Sequence, residues 1–199
     1  VAGVDWPAAL DSQSSDWLAG TASRWGNTVQ DGSHHGVLPF SSPSQSVLAV
    51  DGFYHRQAEA GGLVVLDNQV YEGGANITAL LPPGTVSEAT VYDAREGRTV
   101  VNTVIDVAKL NASGHFPENR MIYASRSDST PSQPNGIQLC HGSLLWCEMT
   151  TASDCPVWIQ GDYNTVQSKP SAVVADSVNL LSNVWNGTKA PGSLPAATD

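Results

Sequence analysis

Charge is scarce in this sequence, and positive charge scarcest. Its 199 residues include 9 Lys and Arg against 19 Asp and Glu, a formal net charge of −10, and only 14% of residues are charged. An average soluble domain carries roughly 25%. Six arginines and three lysines can neutralise few phosphates, so nucleic acid is a disfavoured partner. Long apolar runs are also missing: none exceeds four residues, Leu63 to Leu66 among them. A membrane helix needs about 18. These residues therefore supply no membrane-spanning helix. The chain opens at Val1 without a basic n-region and apolar h-region. That predicts a processed or excised portion of a longer protein. The 41% hydrophobic content suits one real core in a domain of ordinary size.

Cysteine is rare but concentrated, with Cys140, Cys147 and Cys155 in one 16-residue window. With few lysines and abundant Ser, Thr, Asn and Gly, this points to export, where disulfides persist. One bridge among the three is expected, with three possible pairings that sequence alone does not separate. It would stabilise the fold by about 2–4 kcal/mol. Between them, Leu144-Leu145-Trp146 reads as core packing.

Periodicity divides the chain into an irregular segment over 1–46 with Trp6, Trp17 and Trp25, a β-rich domain over 47–185, and a Pro/Gly-containing tail over 186–199. A short helix is predicted within 11–25 and another over 52–60, the latter stopped by Gly61-Gly62. Leu63–Leu66, a turn at Asp67-Asn68 and Gln69–Tyr71 read as a hairpin. Further strands are expected at 90–92, 98–105, 121–124, 137–140, 157–160 and 172–181, with one helical turn at 106–110 and an Asn-Gly turn at Asn135-Gly136. Small residues at corners and a spacing of about 16 between the last strands predict a mainly β fold. The favoured form is a parallel β-helix or solenoid-like domain with a few short helices and long loops, with a β-sandwich as the alternative.

Chemistry-bearing motifs are few. Tyr92-Asp93-Ala-Arg95-Glu96-Gly97-Arg98 reads as a turn in which Asp93 or Glu96 pairs with Arg95 or Arg98, and Gly97 takes a positive φ. Gln160-Gly161-Asp162-Tyr-Asn164 reads as a tight corner. Asp162 and Asn164 could offer oxygens to Ca²⁺, but two ligands fall short of the six to eight it takes, so no cofactor is expected. Asp176 interrupts the apolar face of Ala172, Val174, Val178 and Leu180, and as a buried carboxylate would need a corner or a backbone donor. The sequence contains no His-Glu-x-x-His, Gly-x-Ser-x-Gly or Walker motif. Cys140-His141 is the one Cys/His pair, read as secondary to a disulfide. No catalytic or metal residue is assigned.

Three blocks together resemble the C-terminal ectodomain of PilX-type, minor-pilin-like pilus-assembly proteins of bacterial surfaces. They are Thr90–Arg98 running to Ile105–Asn111; Phe116–Asn119 with Met121–Ala124 and Asn135–Leu139; and Pro156–Asn164 followed by Lys169–Asp176 and Leu180–Trp185. The resemblance implies a β-rich, often β-helical, surface-exposed region that follows an apolar prepilin-type helix, although this stretch carries no Gly-Phe-Thr-Leu-x-Glu-like processing site. It implies a non-catalytic role in pilus assembly, adhesion or surface contact. Partners would be other pilin or filament subunits, a surface polysaccharide or a cell-surface ligand. The place would be the bacterial cell surface, reached by export through the periplasm. The alternatives are a polysaccharide-active β-helix enzyme, a lyase or hydrolase, and a DNA-uptake adhesin.

Overall fold

The computed structural model describes residues 44–93 and 97–185, together with Ala19. The chain divides between Ser42 and Pro43 into two units, of which the second is described below. The segment expected over 1–46 lies outside the described residues up to 43 apart from Ala19, as do the helix within 11–25 and the tail over 186–199. Arg95 and Glu96 lie outside them too.

Local chemistry sets the first elements. Helix α1 (Gln45–Leu48) leads into α2 (Phe53–Glu59), which ends where Gly61 and Gly62 follow. Gly62 is required there, since a Cβ would stand 2.3 Å from the Met121 carbonyl oxygen and 2.8 Å from the Ala58 Cα. Strands β1 (Leu63–Leu66) and β2 (Gln69–Glu72) then form the expected tight hairpin, with Leu66 opposite Gln69 and Asp67 at φ +53°. Strand β3 (Ala75–Asn76) adds to β2. After a 3-10 turn at Thr78–Leu80, β4 (Val86–Asp93) and β5 (Arg98–Asp106) make a longer antiparallel pair. Gly97 at φ +65° supplies the left-handed residue that this connection needs. Asp106 caps α3 (Val107–Ala112) by accepting a hydrogen bond from the Lys109 N–H at 3.0 Å.

From there every strand pairing is parallel. Strands β6 (Met121–Ser125), β7 (Asn135–Cys140) and β8 (Gly142–Leu144) are followed by β9 (Met149–Ser153), β10 (Val157–Gln160) and β11 (Tyr163–Val166), then by β12 (Ser171–Val174) and β13 (Val178–Leu181). The parallel neighbours run in three orders: β12 on β9 on β6 on β1, β13 on β10 on β7 on β5, and β11 on β8. Val157 sits between Ile137, 20 residues behind it, and Val178, 21 ahead. The described residues are thus mainly β, with mixed sheets whose antiparallel strands β2, β3 and β4 flank a parallel stack. The separation of parallel neighbours is not fixed: it is 34 residues from Ile105 to Leu139, where α3 and the 126–134 loop intervene, but 20 from Leu139 to Ile159 and 21 from Ile159 to Leu180.

The core is built from rows of inward residues in register on neighbouring strands. One row is Ile105, Leu139, Ile159 and Leu180; another is Thr103, Ile137, Val157 and Val178; a third is Leu63, Ile122, Thr151 and Val173. Ile137 and Val157 are fully buried, whereas Leu180 is 80% exposed, because no described strand stacks beyond β13. On the six-stranded sheet, Tyr123 donates to the Leu48 carbonyl at 2.8 Å and meets the His55 ring edge-on at 4.9 Å, which docks α1 and α2.

Three sequence expectations change. The strand predicted over 172–181 breaks at 175–177 into β12 and β13, which belong to different sheets; Asp176 is exposed at that corner, and Val173 with Ala175, not Ala172, packs against the core. Asn135-Gly136 is the start of β7 and not a turn, because Asn135 is anchored by its Nδ2 donating to Asp128 at 2.9 Å and Gly136 lies under Trp158. The strands β8, β9 and β11 went unpredicted: β9 buries Thr151 and Ser153, polar residues that hide an inward face.

Candidate functional site

The outer face of the five-stranded sheet carries a cleft of about 320 Å³ between the end of β4 and the chain after β13. Its aromatic walls come from Trp158 and Trp185, and Tyr92, Asp93 and Asn179 also line it. Trp158 and Asn179 face outward because their strand neighbours Val157, Ile159, Val178 and Leu180 belong to the inward rows. Adjacent side chains alternate across a sheet.

A relay of side-chain amides sets the Trp185 wall. Gln138 Nε2 donates to Gln160 Oε1 at 2.6 Å, and Gln160 Nε2 donates to the Trp185 carbonyl at 3.1 Å. Nearby polar atoms lack protein partners: both atoms of the fully buried Asn102 amide, Gln138 Oε1 and Trp185 Nε1. Buried polar groups are costly to leave unpaired; of these residues Trp185 lines the cleft. A second depression of about 490 Å³ lies by the Arg120–Glu148 ion pair and β12; it has no aromatic wall.

The sequence-read residues divide between this cleft and the scaffold. Tyr92 and Asp93 line the cleft and Gln160 positions its wall. Arg98 is the strand partner of Asp93 and donates to the Pro131 carbonyl at 3.3 Å. Gly161 turns the corner at φ +72°. Asp162 is exposed beside it, and the Asn164 amide is spent on a turn, with Oδ1 accepting from the Lys169 N–H at 2.9 Å and Nδ2 donating to the Lys169 carbonyl at 2.6 Å. The oxygen that Asn164 could have offered to Ca²⁺ is therefore engaged. Trp158, Trp185 and Asn179 were missed as site residues, and only the outward alternation of 157–160 hinted at Trp158.

All three cysteines are free thiols, so the bridge expected from their spacing does not form. Cys140 sits at the end of β7, Cys147 contacts the Glu148 carbonyl, and Cys155 is in the core near Asn135. Burial pushes the Cys140 thiol up to about 11, helped by Asp106, and the Cys155 thiol up to about 12, helped by Asp154. Neither is a thiolate at neutral pH. Leu145 is fully buried as expected, but Trp146 beside it is 66% exposed and is no part of the core.

A second cluster joins Asp106, Cys140 and His141. Asp106 and Cys140 are register partners on β5 and β7, and His141 follows at φ +53°. His141 Nδ1 lies 2.9 Å from Asp106 Oδ2 and 3.6 Å from Cys140 Sγ. A nucleophile–base relay uses opposite ring nitrogens for the nucleophile and the orienting carboxylate. Here one nitrogen faces both groups, so the cluster is not a thiol triad.

No protein-family model matches this chain, and neither a curated protein nor a solved structure matches it.

Proposed function

We propose that this chain is the exported ectodomain of a PilX-like, pilus-associated bacterial surface protein, wound as a short parallel β-helix, that acts by contact and not by catalysis. The aromatic cleft carries the reading. Its volume falls at the lower end of ligand sites. Flat indole faces flanked by an amide and a carboxylate suit the CH faces and hydroxyls of a sugar ring, which makes a surface polysaccharide the preferred ligand. Parallel pairing of successive passes supports the β-helix over a sandwich, whose neighbouring strands run antiparallel. The three blocks that resemble PilX-type ectodomains fall, in chain order, on β4, β5 and α3, on β6 and β7, and on β10 to β13.

Other classes draw less support. Asp93 is the one carboxylate among the described residues lining the cleft, and glycoside hydrolysis generally uses a pair. The arginines do not gather into a basic patch among the described residues. Arg126 and Arg120 are ion-paired, and Arg56 and Arg98 donate to backbone carbonyls.

Two measurements test the proposal. Mass spectrometry of filaments sheared from the source cells is expected to recover the chain with peptides from an upstream apolar helix; a free protein without one would remove the pilus link. Titration of bacterial surface polysaccharides against tryptophan fluorescence is expected to saturate, and Trp185→Ala to weaken binding about tenfold, as loss of an aromatic contact worth about 1–1.5 kcal/mol requires. Equal binding by Trp185→Ala would move the contact elsewhere, and shortening of the polysaccharide during the titration would replace the binding reading with an enzymatic one.

A further inference from the structure

We propose that Asp106, Cys140 and His141 form a binding site for a thiophilic divalent ion, zinc being the best fit. Three different donors converge there: a carboxylate oxygen, a thiol sulfur and an imidazole nitrogen, all within 4.8 Å of one another. That mixture selects Zn²⁺ over Ca²⁺ or Mg²⁺, which take oxygens alone. Zinc–ligand bonds of about 2.0–2.3 Å separate neighbouring tetrahedral donors by a little over 3 Å. The observed 2.9 Å and 3.6 Å spacings sit on either side of that value, so small side-chain rotations suffice.

The fold holds this arrangement in place. Asp106 is fixed because its other oxygen, Oδ1, caps α3, which leaves Oδ2 aimed at His141. Cys140 is fixed by the parallel ladder opposite Asp106. His141 adopts a left-handed backbone that non-glycine residues rarely take, and this turns its ring back over the other two donors. Its side chain is 67% exposed while that of Asp106 is 11% exposed, so an ion can enter from the His141 side and keep a water as fourth ligand.

Binding is balanced by one proton. Without metal, Nδ1–H of neutral His141 can donate to Asp106 Oδ2. With metal, Nδ1 presents its lone pair, the ring proton moves to the solvent-facing Nε2, and the Cys140 thiol releases its proton to water. Three protein donors and one water then surround the ion, with no change in oxidation state.

The test is titration of the full, reduced chain, freed of reductant, with Co²⁺ as a spectroscopic stand-in for zinc. One equivalent is expected to bind with a near-ultraviolet sulfur-to-cobalt charge-transfer band and visible bands of tetrahedral intensity, and zinc is expected to displace it. Cys140→Ser is expected to abolish the charge-transfer band. Asp106→Asn keeps a helix-capping side chain, and His141→Asn keeps a residue that tolerates positive φ. Each is expected to weaken cobalt binding by more than the roughly 10–100-fold that losing an outer-shell partner costs. Circular dichroism of each variant separates loss of the site from loss of fold. Absence of saturable binding, or a charge-transfer band that survives Cys140→Ser and vanishes in Cys147→Ser or Cys155→Ser, overturns the proposal.

Discussion

Asp128→Ala is expected to destabilise the protein more than Arg126→Met, even though Asp128 is the more exposed partner. The Arg126 side chain is only 2% exposed, and its guanidinium is held on every side. Nε and Nη2 donate to the two Asp128 oxygens at 2.9 and 2.6 Å, Nη2 also reaches Glu88 at 3.0 Å, and Nη1 donates to Thr103 Oγ1 at 3.1 Å. Thr103 in turn donates to the Asp67 carbonyl, so the hub joins β5 to the β1–β2 turn. Removing Asp128 strands a buried cation, a change that costs about 3–5 kcal/mol when no other partner remains. Glu88 remains, and water already reaches the half-exposed Asp128 carboxylate, so about 2–3 kcal/mol is expected. Arg126→Met instead removes the buried charge, fills much of its volume and leaves two carboxylates that can hydrate. About 1–2 kcal/mol is expected for it, in line with apolar replacement of buried ion pairs. Urea midpoints of the two variants decide the order. A larger loss for Arg126→Met would mean that packing, not charge pairing, holds this corner.

The same hub gives the pH dependence a sign. The Arg126 guanidinium, and after it the Asn135 amide, holds the Asp128 carboxyl well below the usual carboxylate range. A depressed folded pKa contributes stability that is complete above the unfolded value, about 3.9, and is lost as pH falls through the folded one. Wild-type stability should therefore drop as the pH is lowered below about 4, and Asp128→Asn should flatten that slope.

Gly136→Ala is expected to be the other severe change, and one that also reshapes the cleft. A Cβ at this position would stand 2.1 Å from Trp158 Cζ3, 2.9 Å from Asn102 Oδ1 and 2.9 Å from the Pro156 carbonyl oxygen. The ring must leave its place: Trp158 is only 4% exposed, and the direction open to it is the cleft it lines, so its contacts on the sheet face are lost. Overpacking typically costs about 1–3 kcal/mol, and the upper end is expected here because a backbone oxygen is among the obstacles. Trp158 emission should shift to the red as the ring meets water. Adding Trp158→Ala to Gly136→Ala should cost far less than the two single effects combined, since the second change removes the main clash created by the first. Additive losses would show that the glycine is needed for the Asn102 and Pro156 contacts and not for the indole.

What could be read from the sequence was what neighbouring residues decide among themselves. Asp67-Asn68 closes the β1–β2 hairpin, Gly61-Gly62 follows the end of α2, Gly97 takes the positive φ of its connection, and Asp106 begins α3. Each is a cap or turn whose chemistry acts over a few residues. The mainly β character was equally legible, because β-branched residues between turn signals need no knowledge of their partners. The corner at Asp176 was not, since Ala172 to Leu181 is uniformly strand-like and only pairing with β9 and β10 divides it between two sheets. The cleft and the Asp106–Cys140–His141 cluster were hidden for the same reason. Trp158 meets Gly136 and Asn179, and Asp106 meets Cys140, only through parallel register across 21 to 34 residues. Parallel neighbours are joined by long crossovers that leave no turn motif to fix their alignment. The sequence by itself thus determined the mainly β character, several local caps and turns, and an acidic, cation-poor composition. Tertiary structure alone decided which side chains share a face, because packing the inward rows sets the register, and the register assembles the sites.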